Sequence, residues 1–238
     1  MQTALELTAL PLTPNCAELF ARRDHVLLGI SPFNSYFKRA RIAELTRWAV
    51  SEFAYVQFHL PDVPGVFTLR ALGLPEHKAR KRALENGLKM RNRIRDGLAS
   101  AGLSGLDARV VDWAYLEANP VFVDLLREAT ELFAYDAAFR DLCLETTRNV
   151  LRHRLADGSE PTIEQCELAA QYFLADIPLL VDTAGIVGSE TSLYAYHRGI
   201  PFIDALFRRE LPMQPVAGQG YLTVLASGEL DVQPKLQG

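Results

Sequence analysis

Short apolar segments alternate with helical segments in the first half of the chain, and this alternation constrains the fold more than any other feature. The segment from His25 to Ile30 is short and apolar and precedes a Ser-Pro turn, which predicts a buried parallel strand. Lys38 to Phe53 carries apolar side chains at helical spacing, and Tyr55 to His59 predicts a second strand. A long helix is predicted over Pro75 to Ala101 and a third strand over Ala108 to Trp113. This order of elements is typical of a parallel sheet covered by helices.

The second half of the chain is predicted to be mainly helical. Thr162 and Gln165 have the spacing of a capping box at the start of a helix. That helix is expected to end at Asp176, because Pro178 follows closely and helices usually stop before a proline. The other predicted elements are helices over Asn119 to Phe133 and Ala137 to Arg154, a loop over Ala156 to Pro161 and a late strand over Tyr221 to Ala226.

The length and composition fit one domain. The chain has 238 residues, of which 49% are hydrophobic, enough to bury one sizeable core but too short for two comfortable domains. No segment is rich enough in Pro, Gly or Ser to act as a linker. We therefore expect a single α/β domain over residues 1–238, in which a central parallel sheet is flanked by helices.

The overall charge and the cysteines argue against several classes of protein. A net charge of −4 gives no general attraction to nucleic acid or to an anionic membrane, so any nucleic-acid contact needs a local patch. The three cysteines are odd in number and lack CxxC spacing, which disfavours a disulfide framework or a zinc site. Met1 to Pro14 has no basic region and no long apolar run, so no signal peptide is predicted. No apolar stretch is long enough to span a bilayer, and a cytoplasmic protein without membrane contact is expected.

Ser31 directly follows the first predicted strand, at the end of the strand where open α/β sheets bind ligands. This position makes the serine a candidate nucleophile. The Gly-x-Ser-x-Gly elbow of the α/β hydrolases is absent, because Phe33 stands where the second glycine would be. The structural alternative is a turn serine that hydrogen-bonds its own backbone.

Two further pairs of residues combine polar chemistry. Tyr172 and Asp176 are four apart in a predicted helix and so share one face, where a phenol beside a carboxylate can hold an ammonium group. Tyr196 can relay a proton and His197 titrates near neutrality. If these two residues lay on a helix, their side chains would point about 100° apart and would not act directly on the same substrate atom. The structural alternative for the first pair is an ordinary surface tyrosine and acid. The alternative for the second pair is two half-buried aromatic side chains.

The predicted helix from Pro75 to Ala101 carries a strong excess of positive charge. Its basic residues are Lys78, Arg80, Lys81, Arg82, Lys89, Arg91, Arg93 and Arg95. At about 100° per residue, Lys78, Arg82, Lys89 and Arg93 fall in one narrow stripe, apart from an apolar face that can pack on the sheet. Such a stripe can follow a phosphate backbone, or it can be a solvated face.

Several nucleotide and metal motifs are absent from the sequence. There is no Gly-x-Gly-x-x-Gly after a strand, no Walker-type Gly-Lys-Ser/Thr and no His-Glu-x-x-His. Binding of a dinucleotide, of a nucleoside triphosphate or of a catalytic zinc ion is therefore not indicated.

Taken together and in this order, these features resemble the cyclodipeptide synthase family. The segment from His25 to Phe37 is similar to that around the family's nucleophilic serine. Tyr172 to Pro178 is similar to the motif in which a tyrosine and an acid hold the substrate amino group. Tyr196-His197 matches the third motif, and Asn34 places the chain in the family branch marked by Asn, Tyr and His. The basic helix stands where the family binds tRNA, and the similarity spans residues 25–201.

The resemblance implies a Rossmann-like fold, similar to the catalytic domain of the class I tyrosyl- and tryptophanyl-tRNA synthetases. The His-Ile-Gly-His and Lys-Met-Ser-Lys-Ser signatures of those enzymes are absent. An aminoacyl-tRNA ester is already activated, which explains why no ATP step is needed. We therefore expect no cofactor, no metal and no ATP, and a monomer that uses two aminoacyl-tRNAs for each product.

The implied activity is synthesis of a cyclic dipeptide, a 2,5-diketopiperazine, by ping-pong acyl transfer through an aminoacyl-serine and a dipeptidyl-serine. Ser31 is the implied nucleophile, and Tyr172 with Asp176 holds the amino group. The family usually has glutamate where this chain has Asp176, so the acid reaches about one carbon less far. The remaining implied roles are proton transfer during cyclisation by Tyr196, and positioning of the catalytic groups by Asn34 and His197.

The resemblance also implies three groups of residues that contact substrate. These are Leu27, Gly29, Trp113, Leu179 and Tyr194 for the first aminoacyl pocket, His153, Arg154 and Pro201 near the second, and Lys78, Arg82, Lys89, Arg91, Arg93 and Arg95 for tRNA. The identity of the two amino acids does not follow from the sequence.

Two other functions compete with the synthase. A serine esterase or hydrolase needs a histidine and an acid poised on Ser31 as a triad, and it would release free acid from simple esters. A non-catalytic tRNA-binding module would use the basic helix alone, and its tRNA binding would survive the loss of Ser31.

Overall fold

A six-stranded sheet forms the centre of the protein. The computed structural model describes residues 7–155 and 159–226, so the loop predicted over Ala156 to Pro161 and the segment Met1 to Pro14 lie partly outside the described residues. The strands are β1 (Leu7–Pro11), β2 (His25–Gly29), β3 (Tyr55–Leu60), β4 (Val110–Asp112), β5 (Ser192–Tyr196) and β6 (Gln219–Ala226). The helices are α1 (Pro14–Arg22), α2 (Arg39–Glu52), α3 (Gly65–Ala71), α4 (Glu76–Ser100), α5 (Leu106–Arg109), α6 (Trp113–Glu117), α7 (Pro120–Tyr135), α8 (Ala137–Arg152), α9 (Ile163–Val187) and α10 (Pro201–Phe207).

The strands lie in the order β1-β6-β5-β2-β3-β4. All neighbouring pairs from β6 to β4 are parallel, and β1 runs antiparallel along β6. The chain leaves β2 towards β3 and β4 on one side, then returns through α7, α8 and α9 to β5 on the other side of β2. The strand order therefore reverses between β2 and β5, and such a switch point is where open α/β sheets bind ligands.

The predicted α/β class and Rossmann-like architecture are confirmed, with three corrections. The sheet is mixed, because β1 adds an antiparallel edge to the parallel strands. The third predicted strand is shorter than expected, since Ala108 and Arg109 belong to α5 and Trp113 begins α6. Tyr196 is the last residue of β5 and not part of a helix.

Two apolar cores lie on opposite faces of the sheet. Successive residues of a strand point to opposite faces, so Leu27 packs into one core and Leu28 into the other. The core around Leu28 is covered by α2 and α4, and the core around Leu27 by α7, α8, α9 and α10. Because both faces are covered, β2 is buried along its whole length.

Helix α9 continues beyond Asp176, where the sequence predicts its end. Its start is as expected, with Thr162 and Gln165 forming the capping box. Pro178 lies inside the helix and lacks a backbone N–H, a loss of about 3 kcal/mol in a helix interior. The apolar residues around Pro178 are buried, and burying one such side chain contributes about 1.5–3 kcal/mol, which offsets the loss. The helix kinks instead at Asp182, whose carboxylate accepts a hydrogen bond of 2.7 Å from the backbone N–H of Gly185.

The same helix is long and apolar enough to cross a bilayer. However, 67% of its most apolar window is buried inside the protein, where α9 packs on α3, α7 and α8. This burial is that of the core helix of an α/β domain.

Candidate active site

A cavity of about 680 Å³ lies at the carboxyl ends of β2, β3 and β5, at the switch point of the sheet. Each of these strands contributes a polar residue to its wall: Ser31 follows β2, His59 lies in β3, and Tyr196 ends β5. Helix α9 supplies Tyr172 and Asp176 to another part of the wall. Three separate segments that the sequence marks as candidates therefore meet in one place.

Ser31 lies in a tight turn after Ile30, the buried residue that continues β2. Its carbonyl oxygen accepts a hydrogen bond of 3.2 Å from the backbone N–H of Asn34, which closes the turn. Its hydroxyl lies near that of Tyr172, close enough to influence the pKa of the phenol. The serine is half-buried and faces the cavity, so it is both held in place and accessible to a ligand.

Tyr172 and Asp176 occupy one face of α9, one turn apart, as the sequence predicts. Burial, and then the charge of Asp176, raise the pKa of the Tyr172 phenol well above its usual value, so the phenol stays neutral. Burial also raises the pKa of the Asp176 carboxyl well above 3.8. Asp176 Oδ1 is buried and has no hydrogen-bond partner among the described residues. An unpaired carboxyl oxygen beside a phenol is suited to receive a cationic donor.

His59 is a site residue that sequence reasoning missed. Its Nδ1 lies 2.9 Å from the Tyr194 hydroxyl, and its Nε2 lies 3.8 Å from Asp176 Oδ1. Complete burial lowers the pKa of His59 to about 3, so the imidazole is neutral. The available signal was weak, because His59 is one of two polar residues, with Gln57, in a mainly apolar strand.

Gly29 leaves room for Tyr194 at the base of the cavity. A Cβ atom on Gly29 would lie 2.6 Å from the Tyr194 hydroxyl oxygen and 2.9 Å from the ring. The tyrosine therefore packs directly against the backbone of β2, and both residues line the cavity. By contrast, Leu27, Trp113 and Leu179 are not among the described residues that line it, and they pack with the core on that side of the sheet.

Asn34 connects the turn after β2 with the residues at the end of β5. Its Oδ1 accepts a hydrogen bond of 2.9 Å from the backbone N–H of Tyr36, so its Nδ2 is free to donate to His197 Nε2 at 2.9 Å. The side chain also lies near the Tyr196 hydroxyl and influences its pKa. Burial, and then the charge of Arg198, lower the pKa of His197 to about 4, so the ring is neutral and Nε2 is an acceptor. The structure thus brings Asn34, Tyr196 and His197 together, with Asn34 hydrogen-bonded to His197 and the rings of Tyr196 and His197 4.5 Å apart.

The end of α8 and the start of α10 form another part of the cavity wall. His153, Arg154 and Pro201 line it, as do Thr146 and Arg198. The first three are residues that the family resemblance associates with a second aminoacyl group, and they lie together. Arg198 was not singled out from the sequence, although it directly follows the Tyr196-His197 motif.

The basic residues of α4 divide into two groups. Lys78, Arg82 and Lys89 are exposed along the helix. Arg91 forms ion pairs with Asp107 and Asp112, and Arg93 donates a hydrogen bond of 2.8 Å to the carbonyl oxygen of Phe37. Arg95 donates to Asn92 Oδ1 at 2.6 Å. Lys78, Arg82 and Lys89 of the predicted stripe are therefore exposed. Arg93, and Arg91 outside the stripe, also hold α4 against neighbouring segments.

The arrangement around Ser31 differs from a hydrolase triad. In the described part of the chain, the His59 nitrogens face Tyr194 and Asp176, and His197 Nε2 accepts from Asn34. The side chain near the Ser31 hydroxyl is instead Tyr172. A histidine base on the serine, which a triad needs, is not present in this geometry.

The cysteines take no part in the cavity. Cys16, Cys143 and Cys166 are free and buried. Within residues 7–155 and 159–226, no three His, Cys, Asp or Glu side chains are grouped so that they could hold a metal ion.

Comparison with known proteins gives a consistent result. The family model for cyclodipeptide synthase matches residues 7–226. A cyclo(L-leucyl-L-leucyl) synthase of Bacillus subtilis is 31% identical over 217 residues, which cover 90% of this chain and 87% of the relative. A cyclo(L-tyrosyl-L-tyrosyl) synthase of Mycobacterium tuberculosis is 28% identical over 218 residues, which cover 92% of this chain and 75% of the relative.

A solved structure from Mycobacterium tuberculosis has the same fold. It superposes with a TM-score of 0.82 at 28% identity, covering 94% of this chain and 96% of the other, and it relates cyclodipeptide synthetases to type I tRNA synthetases. The match of fold, of sequence and of family model extends over nearly the whole described chain. The chain belongs to the cyclodipeptide synthase family.

Proposed function

We propose that this protein joins two aminoacyl groups, delivered as aminoacyl-tRNAs, into a cyclic dipeptide, with Ser31 as the covalent nucleophile. The observation that carries the proposal is the pairing, within one cavity, of the accessible Ser31 hydroxyl with the unpaired carboxyl oxygen of Asp176. The Ser31 nucleophile requires an acyl carbon to attack, and the unpaired Asp176 carboxylate requires a cation to bind. An aminoacyl ester supplies both, because its ammonium group is one carbon away from its carbonyl.

The first step is transfer of the aminoacyl group from tRNA to the enzyme. Ser31 Oγ bonds to the ester carbon, the bond to the tRNA oxygen breaks, and the serine proton passes to that leaving oxygen. Tyr172 lies beside the Ser31 hydroxyl and, with Asp176, receives the substrate ammonium. Holding the ammonium fixes the position of the carbonyl carbon over Ser31.

The second step forms the first peptide bond. The amine of the aminoacyl-serine attacks the ester carbon of a second aminoacyl-tRNA, and the second tRNA leaves. The amine must lose a proton to attack, and Asp176 is suited to accept it, because burial raises the pKa of its carboxyl. The product of this step is a dipeptidyl-serine.

The last step closes the ring. The free amine of the dipeptidyl-serine attacks the ester carbon on Ser31, a second peptide bond forms, and Ser31 Oγ takes back a proton. Tyr196 carries that proton, since it lines the cavity and its hydroxyl lies near Asn34. His197 contributes by fixing the amide of Asn34. No ATP is consumed, because both esters arrive activated, and we propose that the protein acts in the cytoplasm, where charged tRNA is made.

The test is expression in a bacterial host, followed by mass spectrometry of the medium. The expected product has the mass of two amino acids less two waters, and it should disappear in the Ser31→Ala variant. Glu167→Gln, an exposed acid on the same helix as Asp176, is the matched control and should leave the yield unchanged. A wild-type protein that yields only free amino acids from charged tRNA would establish a hydrolase instead.

A further inference from the structure

The Ser31 loop, residues 31–37, lies between β2 and α2 and carries the nucleophile. Two successive backbone hydrogen bonds shape it. The N–H of Asn34 donates to the carbonyl oxygen of Ser31 at 3.2 Å, and the N–H of Phe37 donates to that of Asn34 at 3.2 Å. The positions of Ser31 and Asn34 in the cavity therefore depend on where Phe37 is held.

The carbonyl oxygen of Phe37 is held from outside the Ser31 loop by α4. Arg93 Nη1 donates a hydrogen bond of 2.8 Å to this oxygen, and the arginine side chain is half-buried. The Phe37 side chain is buried in the same apolar core as Met90 and Ile94 of α4. Arg93 thus ends the series of hydrogen bonds that begins at Ser31.

The ring of Phe37 faces the residues at the end of β5. Its centroid lies 5.5 Å from that of His197, in an edge-on arrangement, and 5.7 Å from that of Tyr196. Asn34, in the same loop, is hydrogen-bonded to His197 Nε2. Because close-packed interiors transmit displacements, a shift of Phe37 would move the loop and both rings together.

Helix α4 also contacts the start of the Ser31 loop. Phe33 packs against a small apolar cluster that includes Ala79 and Ala83 of α4. On its other side lies Gly65 of α3, where a Cβ atom would overlap the Phe33 ring. The contact at Phe33 is apolar and needs no charge, whereas the contact at Phe37 needs a hydrogen-bond donor from α4.

Arg93 differs in this respect from the exposed cations of the same helix. The helical wheel groups it with Lys78, Arg82 and Lys89, which are exposed. An exposed cation is free to neutralise a phosphate and so to contribute to the salt dependence of nucleic-acid binding. The Arg93 guanidinium is instead engaged with a carbonyl oxygen inside the protein, where it contributes to the geometry of the loop.

We propose that Arg93 is a positioning residue for acyl transfer at Ser31, which acts through Phe37 and contributes to the rate of the reaction and not to the affinity for tRNA. This inference rests on the proposed function. It gives Arg93 a different task from the tRNA contact that the family resemblance implies.

The experiment follows acylation of Ser31 by intact mass in single turnovers, at increasing concentrations of charged tRNA. It yields a maximal rate and a half-saturating concentration for Arg93→Met, Arg93→Lys and Lys89→Met. Methionine keeps much of the apolar stem and removes the donor, whereas lysine keeps a charged donor. Arg127→Met, which replaces an exposed arginine of α7 that pairs with Asp124, is the matched control and should behave as wild type.

Arg93→Met should lower the maximal rate about 10- to 100-fold, because a small displacement of reacting groups is enough for a loss of this size. Its half-saturating concentration should stay within about twofold of wild type, with an unchanged salt slope. Arg93→Lys should keep the maximal rate within about threefold, since a single donor serves this carbonyl oxygen. Lys89→Met should instead raise the half-saturating concentration and make the slope of log affinity against log salt shallower by about 0.7–0.9.

A maximal rate for Arg93→Met equal to that of the wild type would overturn the inference. So would a loss that consists of weaker binding with a shallower salt slope, because Arg93 would then contact phosphate. Arg93→Gln, whose shorter side chain withdraws the donor from Phe37, should show the same slow acylation and carries the test if Arg93→Met folds poorly. Acylation of the wild type at Ser31 would leave the proposed function standing in either case, whereas a wild-type protein that charged tRNA never acylates would overturn both.

Discussion

Replacing Asp176 by asparagine removes one charge from the cavity and keeps the shape of the side chain. Asp176 Oδ1 is buried without a partner among the described residues, and His59 Nε2 is 3.8 Å away, too far for a hydrogen bond. Nothing in the described protein therefore uses this oxygen, and its role is expected to appear only with substrate. Asp176→Asn tests that role directly.

The expected loss follows from the contact that the carboxylate makes with the substrate ammonium. A charge-assisted hydrogen bond contributes about 1.5–3 kcal/mol. At about 1.4 kcal/mol for each factor of ten, kcat/KM for Ser31 acylation should fall roughly 10- to 150-fold in Asp176→Asn. Asp176→Glu should retain activity, because the side chain faces the cavity and the extra carbon has space there.

The same variant should be more stable than the wild type. The pKa of Asp176 in the folded protein lies above the ordinary value of 3.8, so the folded state binds this proton more tightly than the unfolded chain. The free energy of unfolding therefore falls as the pH rises above 3.8, and this loss is absent from Asp176→Asn. Urea unfolding at pH 5 and pH 8 measures the difference, with Glu167→Gln as the control that should behave as wild type.

Catalysis should also depend on pH in the wild type. The carboxyl must be ionised to hold the ammonium, so kcat/KM should rise with pH as Asp176 loses its proton, and that rise should be missing in Asp176→Asn. The reasoning is refuted if Asp176→Asn acylates Ser31 within twofold of the wild-type rate from pH 5 to pH 8. Tyr172 or a backbone carbonyl would then hold the amine alone.

Two further predictions address the base of the cavity and the basic helix. Gly29→Ala should destabilise the protein by about 1–3 kcal/mol, because the new Cβ would lie 2.6 Å from the Tyr194 hydroxyl; urea unfolding should show that the cost is smaller when Tyr194→Leu is also present, and strictly additive costs would contradict the contact. Lys78→Met together with Lys89→Met should weaken the binding of every tRNA alike and reduce its salt dependence by about 0.7–0.9 per lost phosphate contact; unchanged affinity would make this helix a solvated face or move the tRNA surface elsewhere.

Local pattern was sufficient for two of the three strands that carry the site, β2 and β3. His25–Gly29 and Tyr55–Leu60 are short and mainly apolar because both faces of the sheet are covered, and a short, mainly apolar run is itself the signal of such strands. Strand β5 escaped detection, because Ser192–Tyr196 mixes serine and two tyrosines with apolar residues. Those polar groups are satisfied by partners distant in sequence, such as His25, whose Nδ1 lies 2.8 Å from Ser192 Oγ.

Where the sequence pattern was misleading, tertiary contacts determined the local structure. The proline rule predicts a stop at Asp176, but burial of the following turn outweighs the hydrogen bond that Pro178 cannot make. A helical wheel places Arg93 in the exposed stripe of α4, and only the fold reveals its bond to the carbonyl oxygen of Phe37. His59 gave no distinctive signal, because its neighbours Tyr194 and Asp176 lie more than 100 residues away in sequence.

The central claim is that the Ser31 hydroxyl becomes an ester, and intact-mass spectrometry tests it most directly. Purified protein mixed with charged tRNA and quenched in acid should gain the mass of one aminoacyl group, with the adduct on the peptide that contains Ser31. Ser31→Ala should show no adduct and make no cyclic dipeptide, while Ser35→Ala, an exposed serine in the same turn, should still form the adduct. Cyclic dipeptide made by Ser31→Ala at the wild-type rate would contradict the account.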